Sequence, residues 1–402
     1  MLKRKLIAVQ HVGEVGGSGI GLLAVLNILR NHFEIVIYCV DTPKSMVELF
    51  ESNGYHVVSA ARIPVFLYHS GGPGLMSIDF LSSLLKIKEA KQHWGKIFLT
   101  EKPDVVLVNS MVMSWMWEPI KACNAKAICH VREVLPNRWD PRANKILGDL
   151  ESFDATWFIS EHERTYFDLK HPMTAVIRDC LIDIAPDMEE SISAQAGDGM
   201  FHVLYVGGLS KLKGIYTLLK SVDYLNDHIV VDLAGYFPEK AEFIKRKYSR
   251  FGFIRNFILR LKNLSRRNML KVLYVTLTKH AGKVNLIGHR NDLGELYKNC
   301  NVLVFPSQKP HQSRPAFEAG FYGKSVIISD FKQTRENVLD GYNGLTFKPN
   351  DSRDLAIKIN RLCDDRYLCK RLGENNRKKS IEKHTFEAVQ TEMRLFWQRF
   401  CT

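Results

Sequence analysis

Short apolar runs rich in valine and isoleucine alternate along the chain with longer stretches that have helical spacing. In the first half these runs occupy residues 6–9, 35–40, 105–108, 127–130 and 156–159, and in the second half residues 202–206, 229–233, 284–287, 302–305 and 326–328. Continuous apolar strands separated by helices are typical of parallel sheets that helices cover on both faces. The pattern therefore predicts an α/β protein built from two doubly wound, Rossmann-like sheets.

A stretch without this pattern separates the two predicted sheets. Residues 183–199 contain Pro186, an acidic run and the sequence AQAGDG, which is a composition typical of a linker. We therefore predict an N-terminal domain over residues 1–182 and a C-terminal domain over residues 200–385. The last segment, 386–402, has apolar residues at helical spacing, and we expect this helix to pack back on the first domain.

The composition narrows the class of protein. Hydrophobic residues make up 46% of the chain and charged residues 25%, a balance that excludes a wholly disordered chain. Eight cysteines without close metal-ligand spacing indicate reduced thiols in the cytoplasm. The N-terminus MLKRKLIAVQH has only a short apolar run, so it predicts a first strand rather than a signal peptide. No uncharged apolar stretch approaches the ~18 residues of a membrane span.

The positive charge is concentrated in one segment. The chain has a net charge of +13, of which residues 239–283 carry +11 through 13 basic and two acidic residues. A basic excess confined to one segment argues against nucleic-acid binding, which normally uses several elements. Its apolar residues at helical spacing are Ile254, Phe257, Ile258, Leu261 and Leu264, and the bases beside them are Arg255, Arg260, Lys262, Arg266 and Arg267. This pattern predicts contact with an anionic membrane surface; alternatively, the apolar face packs on its own domain.

A glycine-rich loop, GEVGGSGIG, lies between the first strand and the first helix at residues 13–21. Glycines let backbone N–H groups approach a substrate closely at a helix N-terminus, so Gly16 and Gly17 are candidate ligand contacts. The loop lacks the lysine of a P-loop and the downstream acid of a dinucleotide site. The alternative is a tight turn with no ligand.

A second loop follows the first strand of the C-terminal domain. The sequence VLYVGGLSKLKG ends a strand at Gly207 and Gly208 and places Lys213 directly before a helix. A lysine and the positive end of a helix dipole together suit a diphosphate. The alternative is a solvated lysine.

A third loop, in VFPSQKPHQSRPAFEAGFYGK, leads from a buried strand into a short helix that carries Glu318. The Glu318 carboxylate can accept hydrogen bonds from two adjacent ribose hydroxyls. Arg314, one helical turn earlier, can reach either Glu318 or a phosphate. A purely structural pair between the two residues is the alternative.

In the N-terminal domain, the sequence AICHVREV places His130, Arg132 and Glu133 at a strand end. Such a polar trio can position an acceptor hydroxyl, although His130 is equally well explained as a hydrogen-bonded core histidine. Weaker candidates at other strand ends are Asn109, Ser110, Ser160 and Glu161.

These loops resemble the motifs of family 4 glycosyltransferases, which have the two-domain GT-B fold with the donor in the cleft between the domains. The third loop resembles their P-S-(loop)-E-x-F-G-(R/L)-x-x-x-E-A signature, with matches at Pro306, Ser307, Arg314, Glu318, Ala319 and Gly323. The second resembles their V-G-R-L-x-x-x-K-G segment, with matches at Val206, Gly207, Leu209, Lys213 and Gly214. The resemblance covers nearly the whole chain and is stronger in its second half.

Two positions depart from the family pattern. The arginine that helps the family to hold the diphosphate is Gly208 here, and the glutamate beside the donor sugar is Pro310. We expect Arg290 or Arg314 to replace the missing charge. We expect His311, Gln312 and Ser313 to replace the missing sugar contacts.

The resemblance implies a retaining glycosyltransferase that moves a sugar from a nucleoside-diphosphate sugar to an acceptor hydroxyl. Membrane contact through the basic segment would bring it close to a glycan or lipid-linked acceptor, as in surface polysaccharide or lipopolysaccharide synthesis. We predict catalytic roles for His130, Lys213 and Glu318. The sequence contains no Asp-x-Asp, so we expect no metal and no cofactor. The implied activity and the basic segment together predict a peripheral enzyme on the cytoplasmic face of a membrane. A sugar-nucleotide epimerase of the same fold and a non-catalytic binding protein remain as alternatives.

Overall fold

The computed structural model divides into two compact units. The first unit comprises residues 1–183 and 383–402, and the second comprises residues 184–382. The structure describes residues 3–60, 63–67, 77–135, 140–170, 173–181, 198–238, 268–290, 292–310 and 312–400.

The first unit is built on a seven-stranded, fully parallel sheet with strand order β3-β2-β1-β4-β5-β6-β7. Its strands are β1 (Arg4–Gln10), β2 (Phe33–Val40), β3 (His56–Ala60), β4 (Val105–Val108), β5 (Lys126–Val131), β6 (Ala155–Phe158) and β7 (Thr174–Val176). Its helices are α1 (Gly17–Leu29), α2 (Ser45–Ser52), α3 (Ile78–Glu101), α4 (Trp117–Ala122), α5 (Pro141–Glu151) and α6 (Glu161–Phe167). A short 3₁₀ helix at Met111–Met116 precedes α4.

Both faces of this sheet are buried, which explains why its strands are apolar throughout rather than alternating. On β1, Ile7 and Val9 belong to one core cluster, together with Trp94 of α3. Leu6 and Ala8 belong to the other cluster, on the opposite face of the sheet. Successive strand residues point to opposite faces, so a sheet covered on both sides needs an apolar residue at every position.

The C-terminal helix α13 (Phe386–Phe400) packs on the first unit. Its buried residues Val389, Met393 and Phe396 join the core cluster on one face of the sheet. The Trp397 ring lies 5.2 Å from that of Phe33 on β2.

The second unit is built on a six-stranded parallel sheet with strand order β10-β9-β8-β11-β12-β13. Its strands are β8 (Phe201–Val206), β9 (Ile229–Ala234), β10 (Val284–Gly288), β11 (Val302–Phe305), β12 (Ser325–Ser329) and β13 (Leu345–Phe347). Its helices are α7 (Ile215–Ser221), α8 (268–279), α9 (Gly294–Asn299), α10 (Arg314–Phe321), α11 (Ser352–Asp364) and α12 (Arg366–His384), whose last residues reach the first unit. The prediction of two doubly wound parallel sheets is confirmed.

The end of the basic segment belongs to the fold of the second unit. In α8, Met269, Leu270 and Leu273 are buried in the core. Lys279 pairs with Asp223 at 2.7 Å, and Lys283 pairs with Asp227 at 3.1 Å. Residues 268–283 therefore pack on their own domain, as in the alternative to membrane contact given above. The predicted amphipathic stretch itself, with Arg255, Arg260, Lys262, Arg266 and Arg267, lies outside the described residues, as does most of the predicted linker.

Among the described residues, no helix combines the length and the apolar character needed to cross a membrane.

Candidate active site

The candidate loops of the second unit meet at the edge where its parallel strands end. Gly214 has a φ of +79°, and a Cβ there would stand 1.6 Å from the carbonyl oxygen of Pro306. The backbone N–H of Gln308 donates to the carbonyl of Leu212 at 2.9 Å. Only glycine permits this close approach, which fastens the loop of Lys213 to the loop that leads into α10.

The departure at Gly208 has a steric reason. Gly208 has a φ of +60°, and a Cβ there would lie 2.7 Å from the carbonyl oxygen of Tyr236. An arginine at this position would have both a strained backbone and no room for its side chain. The loop therefore holds a conformation that is incompatible with the family's arginine.

Lys213 is half-buried beside this loop. A Cβ on Gly207 would lie 2.9 Å from Lys213 Cδ, so the aliphatic part of the lysine runs close over the glycine backbone. Burial lowers the pKa of the Lys213 ammonium. In the described part of the chain, no carboxylate pairs with it. A cation withdrawn from water without a counter-ion is stabilised when an anion binds beside it.

Glu318 lies on α10 and is only 13% exposed. Its Oε1 accepts a hydrogen bond from Arg314 Nε at 2.6 Å, and its Oε2 accepts one from the Tyr297 hydroxyl at 2.7 Å. A carboxylate oxygen can accept two hydrogen bonds, so each oxygen retains one acceptor position. The structural pair of Arg314 and Glu318 therefore exists and still leaves the carboxylate able to receive two adjacent hydroxyls.

Tyr297 is a site residue that the sequence did not reveal. It is buried on α9, and its ring stacks on that of Tyr322 with centroids 5.5 Å apart. Burial raises the pKa of its phenol, and the negative charge of Glu318 acts in the same direction. Tyr297 thus stays protonated and donates to Glu318. The pairing depends on the packing of α9 against α10, and no spacing rule indicates it.

The expected replacements for the missing family residues differ in their environments. The Gln312 amide is engaged within the protein, because it accepts from Asn337 Nδ2 at 2.7 Å and donates to the carbonyl of Gln333. Ser313 Oγ is buried and has no hydrogen-bond partner in the described part of the chain. Arg290 is exposed, and His311 lies outside the described residues.

In the first unit, His130 is fully buried rather than open to an acceptor. Its Nε2 lies 3.1 Å from the carbonyl of Ile177, and its Nδ1 lies 3.5 Å from Arg132 Nη1. Burial lowers the pKa of His130 to about 3, and the charge of Arg132 acts in the same direction. A neutral imidazole with both nitrogens engaged fits the core histidine given as the alternative, and it does not fit the predicted acceptor or catalytic role.

Arg132 is also held by the protein. Its guanidinium forms an ion pair with Asp179, and its Nη2 lies 3.5 Å from the carbonyl of Gly17. A Cβ on Gly21 would stand 2.1 Å from the same nitrogen, so this glycine makes room for the arginine. Gly16, by contrast, is exposed, and a Cβ there would meet nothing within 4 Å.

Glu133 forms the centre of a polar cluster at the edge where β1, β4 and β5 end. It accepts hydrogen bonds from the Ser110 hydroxyl, from the Met111 N–H at 3.1 Å and from the Arg132 N–H at 3.2 Å. His11 follows β1 at the same edge, and burial lowers its pKa while the charge of Glu133 acts in the opposite direction. The buried Nδ1 of His11 has no hydrogen-bond partner among the described residues. His11 was not predicted, although its place directly after an apolar strand was a usable signal.

Parts of the chain match known glycosyltransferases. Residues 188–379 match the family model described as Glycosyl transferases group 1. Over 117 residues the chain is 30% identical to the N,N'-diacetylbacillosaminyl-diphospho-undecaprenol alpha-1,3-N-acetylgalactosaminyltransferase of Campylobacter jejuni, covering 29% of this chain and 31% of that protein. Over 127 residues it is 28% identical to the capsular polysaccharide biosynthesis glycosyltransferase CapM of Staphylococcus aureus, covering 32% and 33% of the two chains. The matches thus span about a third of these relatives.

Solved structures resemble the chain over nearly its full length. Anabaena HepE, determined in complex with UDP and glucose, has a TM-score of 0.72 at 16% identity, covering 98% of this chain and 99% of that one. Staphylococcus aureus TarM has a TM-score of 0.69 at 11% identity, with the same coverage. At such identities the likeness shows the fold. The predicted GT-B fold and the predicted resemblance to GT-B glycosyltransferases are confirmed.

Proposed function

We propose that this chain, whose residues 188–379 match the glycosyl transferases group 1 model, moves a sugar from a nucleoside-diphosphate sugar to a hydroxyl of a glycan or lipid-linked acceptor. The observation that carries the proposal is that Lys213 and Glu318 lie at one sheet edge, because the loop of Lys213 is fastened to the loop that leads into α10. Lys213 offers an ammonium with no carboxylate partner among the described residues, and Glu318 offers two carboxylate oxygens with acceptor capacity left. Together they suit the diphosphate and the ribose of a nucleotide.

In this reaction Lys213 stabilises the negative charge that develops on the departing nucleoside diphosphate. Glu318 fixes the ribose, and Tyr297 and Arg314 hold the Glu318 carboxylate in place. The remaining contribution is the placement of the anomeric carbon against the acceptor hydroxyl. Retention of the anomeric configuration is proposed from the family resemblance.

The donor side also includes the backbone of Gly207 and Gly208. The buried Ser313 hydroxyl and the exposed Arg290 are proposed as further donor contacts, because neither has a partner among the described residues that would occupy it. Gln312 serves instead to hold the loop before α10.

For the acceptor side we propose Glu133 with His11, together with the open backbone at Gly16. Glu133 is held in one orientation by three donors, and the buried Nδ1 of His11 has no hydrogen-bond partner among the described residues. Arg132 acts as a support that fixes the neighbouring backbone.

The names of the relatives guide the choice of substrates. One relative carries undecaprenol diphosphate in its name, another is named for capsular polysaccharide biosynthesis, and Anabaena HepE binds UDP. We therefore propose a UDP-sugar as the first donor to examine and a diphosphate-linked lipid as the acceptor, in surface polysaccharide synthesis.

Incubation with the donor, with and without an acceptor, tests the proposed activity. A glycosyltransferase releases the nucleoside diphosphate at a rate that rises strongly when the correct acceptor is added. Conversion of the sugar to an epimer in the absence of any acceptor would instead show an epimerase. Tight donor binding with no turnover under either condition would show a binding protein.

We expect the transfer reaction to persist in excess EDTA. Lys213 supplies the positive charge on the diphosphate, and among the described residues Glu318 belongs to no group of three His, Cys, Asp or Glu side chains that could hold a metal ion. Initial rates of nucleoside diphosphate release, measured with and without the chelator, check this. Complete loss of activity with EDTA and its recovery with Mg²⁺ or Mn²⁺ would assign the diphosphate to a metal.

We expect the enzyme to bind anionic vesicles through residues 239–267. This segment has ten basic and two acidic residues, and each lysine or arginine near an anionic leaflet contributes ~1 kcal/mol. Co-sedimentation should require phosphatidylglycerol, weaken with salt, and fall when four arginines are changed to glutamate. Those four are Arg255, Arg260, Arg266 and Arg267.

The matched control reverses four exposed charges elsewhere. These are Lys86, Lys88, Arg361 and Lys370. Binding should be almost unchanged in this control if the segment is responsible. Equal binding to neutral vesicles, or equal loss in both variants, would contradict a specific role for the segment and a place on the cytoplasmic membrane face.

A further inference from the structure

Three potential metal ligands from distant parts of the sequence meet in the second unit. His228 directly precedes β9, whereas Cys363 and Asp364 are the last two residues of α11. One ligand atom of each residue lies within 4.8 Å of the corresponding atoms of the other two. The cluster stands where β9 begins, which is the opposite edge of the sheet from Lys213 and Glu318.

The fold explains this meeting. A helix that packs on a parallel sheet between two strands runs antiparallel to them, so its C-terminal end reaches the edge where the strands begin. The end of α11 therefore arrives beside the first residue before β9. The two parts are 135 residues apart along the chain, so no local cysteine–histidine spacing indicates the cluster.

The donor set has the chemistry of a zinc site. A thiolate, an imidazole and a carboxylate are the three ligand types that Zn²⁺ uses in proteins, whereas Mg²⁺ and Ca²⁺ prefer oxygen ligands alone. Around a tetrahedral zinc ion with bonds of about 2.0–2.3 Å, ligand atoms stand roughly 3.3–3.7 Å apart. The present spacing has an upper limit of 4.8 Å, about 1 Å more than that arrangement, so the ligand atoms would draw together on binding.

The surroundings support binding as well. Cys363 is almost fully buried, while His228 and Asp364 are exposed. An ion can therefore reach the exposed ligands from solution and then bind the thiol. Asn226 donates from Nδ2 to Asp364 Oδ1 at 3.0 Å, and its own backbone N–H donates to Asn360 at 3.1 Å. A carboxylate held by such a donor is oriented before the metal arrives.

We propose that His228, Cys363 and Asp364 form a three-ligand site for Zn²⁺, with water as the fourth ligand. On binding, Cys363 gives its proton to the buffer, and its thiolate and the neutral imidazole each donate an electron pair to the ion. The ion would tie the turn before β9 to the end of α11. This site is independent of the proposed transfer reaction.

Cobalt titration of the untagged full chain tests the site, because Co²⁺ occupies zinc sites and its bond to a thiolate gives a charge-transfer band in the near ultraviolet. We expect one equivalent of Co²⁺ to produce this band, Zn²⁺ to remove it and Mg²⁺ to leave it unchanged. Cys363→Ser should abolish the band. His228→Ala and Asp364→Asn should weaken Co²⁺ binding at least about tenfold, and Asn226→Ala should weaken it by roughly 10- to 100-fold.

The matched controls are Cys123→Ser and His289→Ala, which remove a half-buried thiol and an exposed imidazole outside the cluster. Both should keep the wild-type band and affinity. His228 is exposed, so its alanine variant should fold normally even if Cys363→Ser does not, and it should retain the wild-type affinity for nucleotide sugars. Absence of the band in the wild-type chain, its persistence in Cys363→Ser, or equal weakening in the controls would overturn the proposal.

Discussion

Replacing Lys213 with alanine should lower kcat/KM for sugar transfer by roughly 10²–10³-fold, which is the usual cost of removing one group that stabilises developing negative charge. The ammonium is half-buried and has no carboxylate partner among the described residues, so its removal costs the folded protein little. Steady-state rates of nucleoside diphosphate release, together with circular dichroism of the variant, measure the effect.

Lys211→Ala is the matched control, because Lys211 is an exposed lysine two positions earlier on the same loop. Its kcat/KM should remain within about threefold of the wild-type value if only a rim charge is lost. Similar losses in both variants would mean that general loop charge is responsible. An unchanged rate in a folded Lys213→Ala variant would remove this lysine from the reaction.

Replacing Glu318 with glutamine should weaken the binding of the nucleoside diphosphate by about 1.5–3 kcal/mol, or roughly 10- to 150-fold in Kd. Glutamine keeps the size of the side chain and one acceptor oxygen, but it loses the charge and the second oxygen that a ribose diol requires. Isothermal titration calorimetry with UDP, GDP and ADP measures the change.

Glu318 also accepts hydrogen bonds from Arg314 and Tyr297, so Glu318→Gln could lower nucleotide affinity by disturbing the structure rather than by removing a ribose contact. Tyr297→Phe separates the two effects, since it removes one of these internal bonds and leaves the carboxylate charge in place. We expect this variant to lose less nucleotide affinity than Glu318→Gln. If it loses as much, then the positioning of α9 and α10 matters more than direct contact with the ribose.

The fold could be predicted because its signal is local. A strand buried on both faces must be apolar at every position, and the runs around Ile7 and Leu204 showed this without any knowledge of their partners. The two sheets followed from the alternation of strand and helix. The packing of residues 268–279 was predicted only as an alternative, although this stretch has just two basic residues, Lys271 and Lys279, and its apolar side chains enter the core.

Only some residues of the candidate site could be predicted from the sequence. Lys213 and Glu318 stand in motifs whose spacing is fixed by a loop and a helix turn, so the sequence indicated both. The environment of His130 depends on Ile177, 47 residues away, and burial of this kind has no local pattern. Tyr297 was missed because the fold, and no local spacing, brings its hydroxyl to Glu318. His11 could have been proposed from its place directly after an apolar strand.

The departure from the family pattern at Gly208 has a physical explanation only in three dimensions. Gly208 adopts a left-handed backbone and touches the backbone of Tyr236, so the loss of the arginine follows from the path of two neighbouring loops. A sequence comparison shows that the arginine is absent, but it does not show that the space for it is absent too.

A binding screen of UDP-, GDP- and ADP-sugars by thermal shift tests the central claim most directly, because it needs no knowledge of the acceptor. A ligand at 100 times its Kd adds ~2.7 kcal/mol to the free energy of unfolding, so at least one nucleotide class should raise the melting temperature clearly. The same ligand should give a much smaller shift with Lys213→Ala and Glu318→Gln. No shift with any nucleotide sugar, or equal shifts in the wild type and both variants, would contradict a nucleotide-sugar site at these residues.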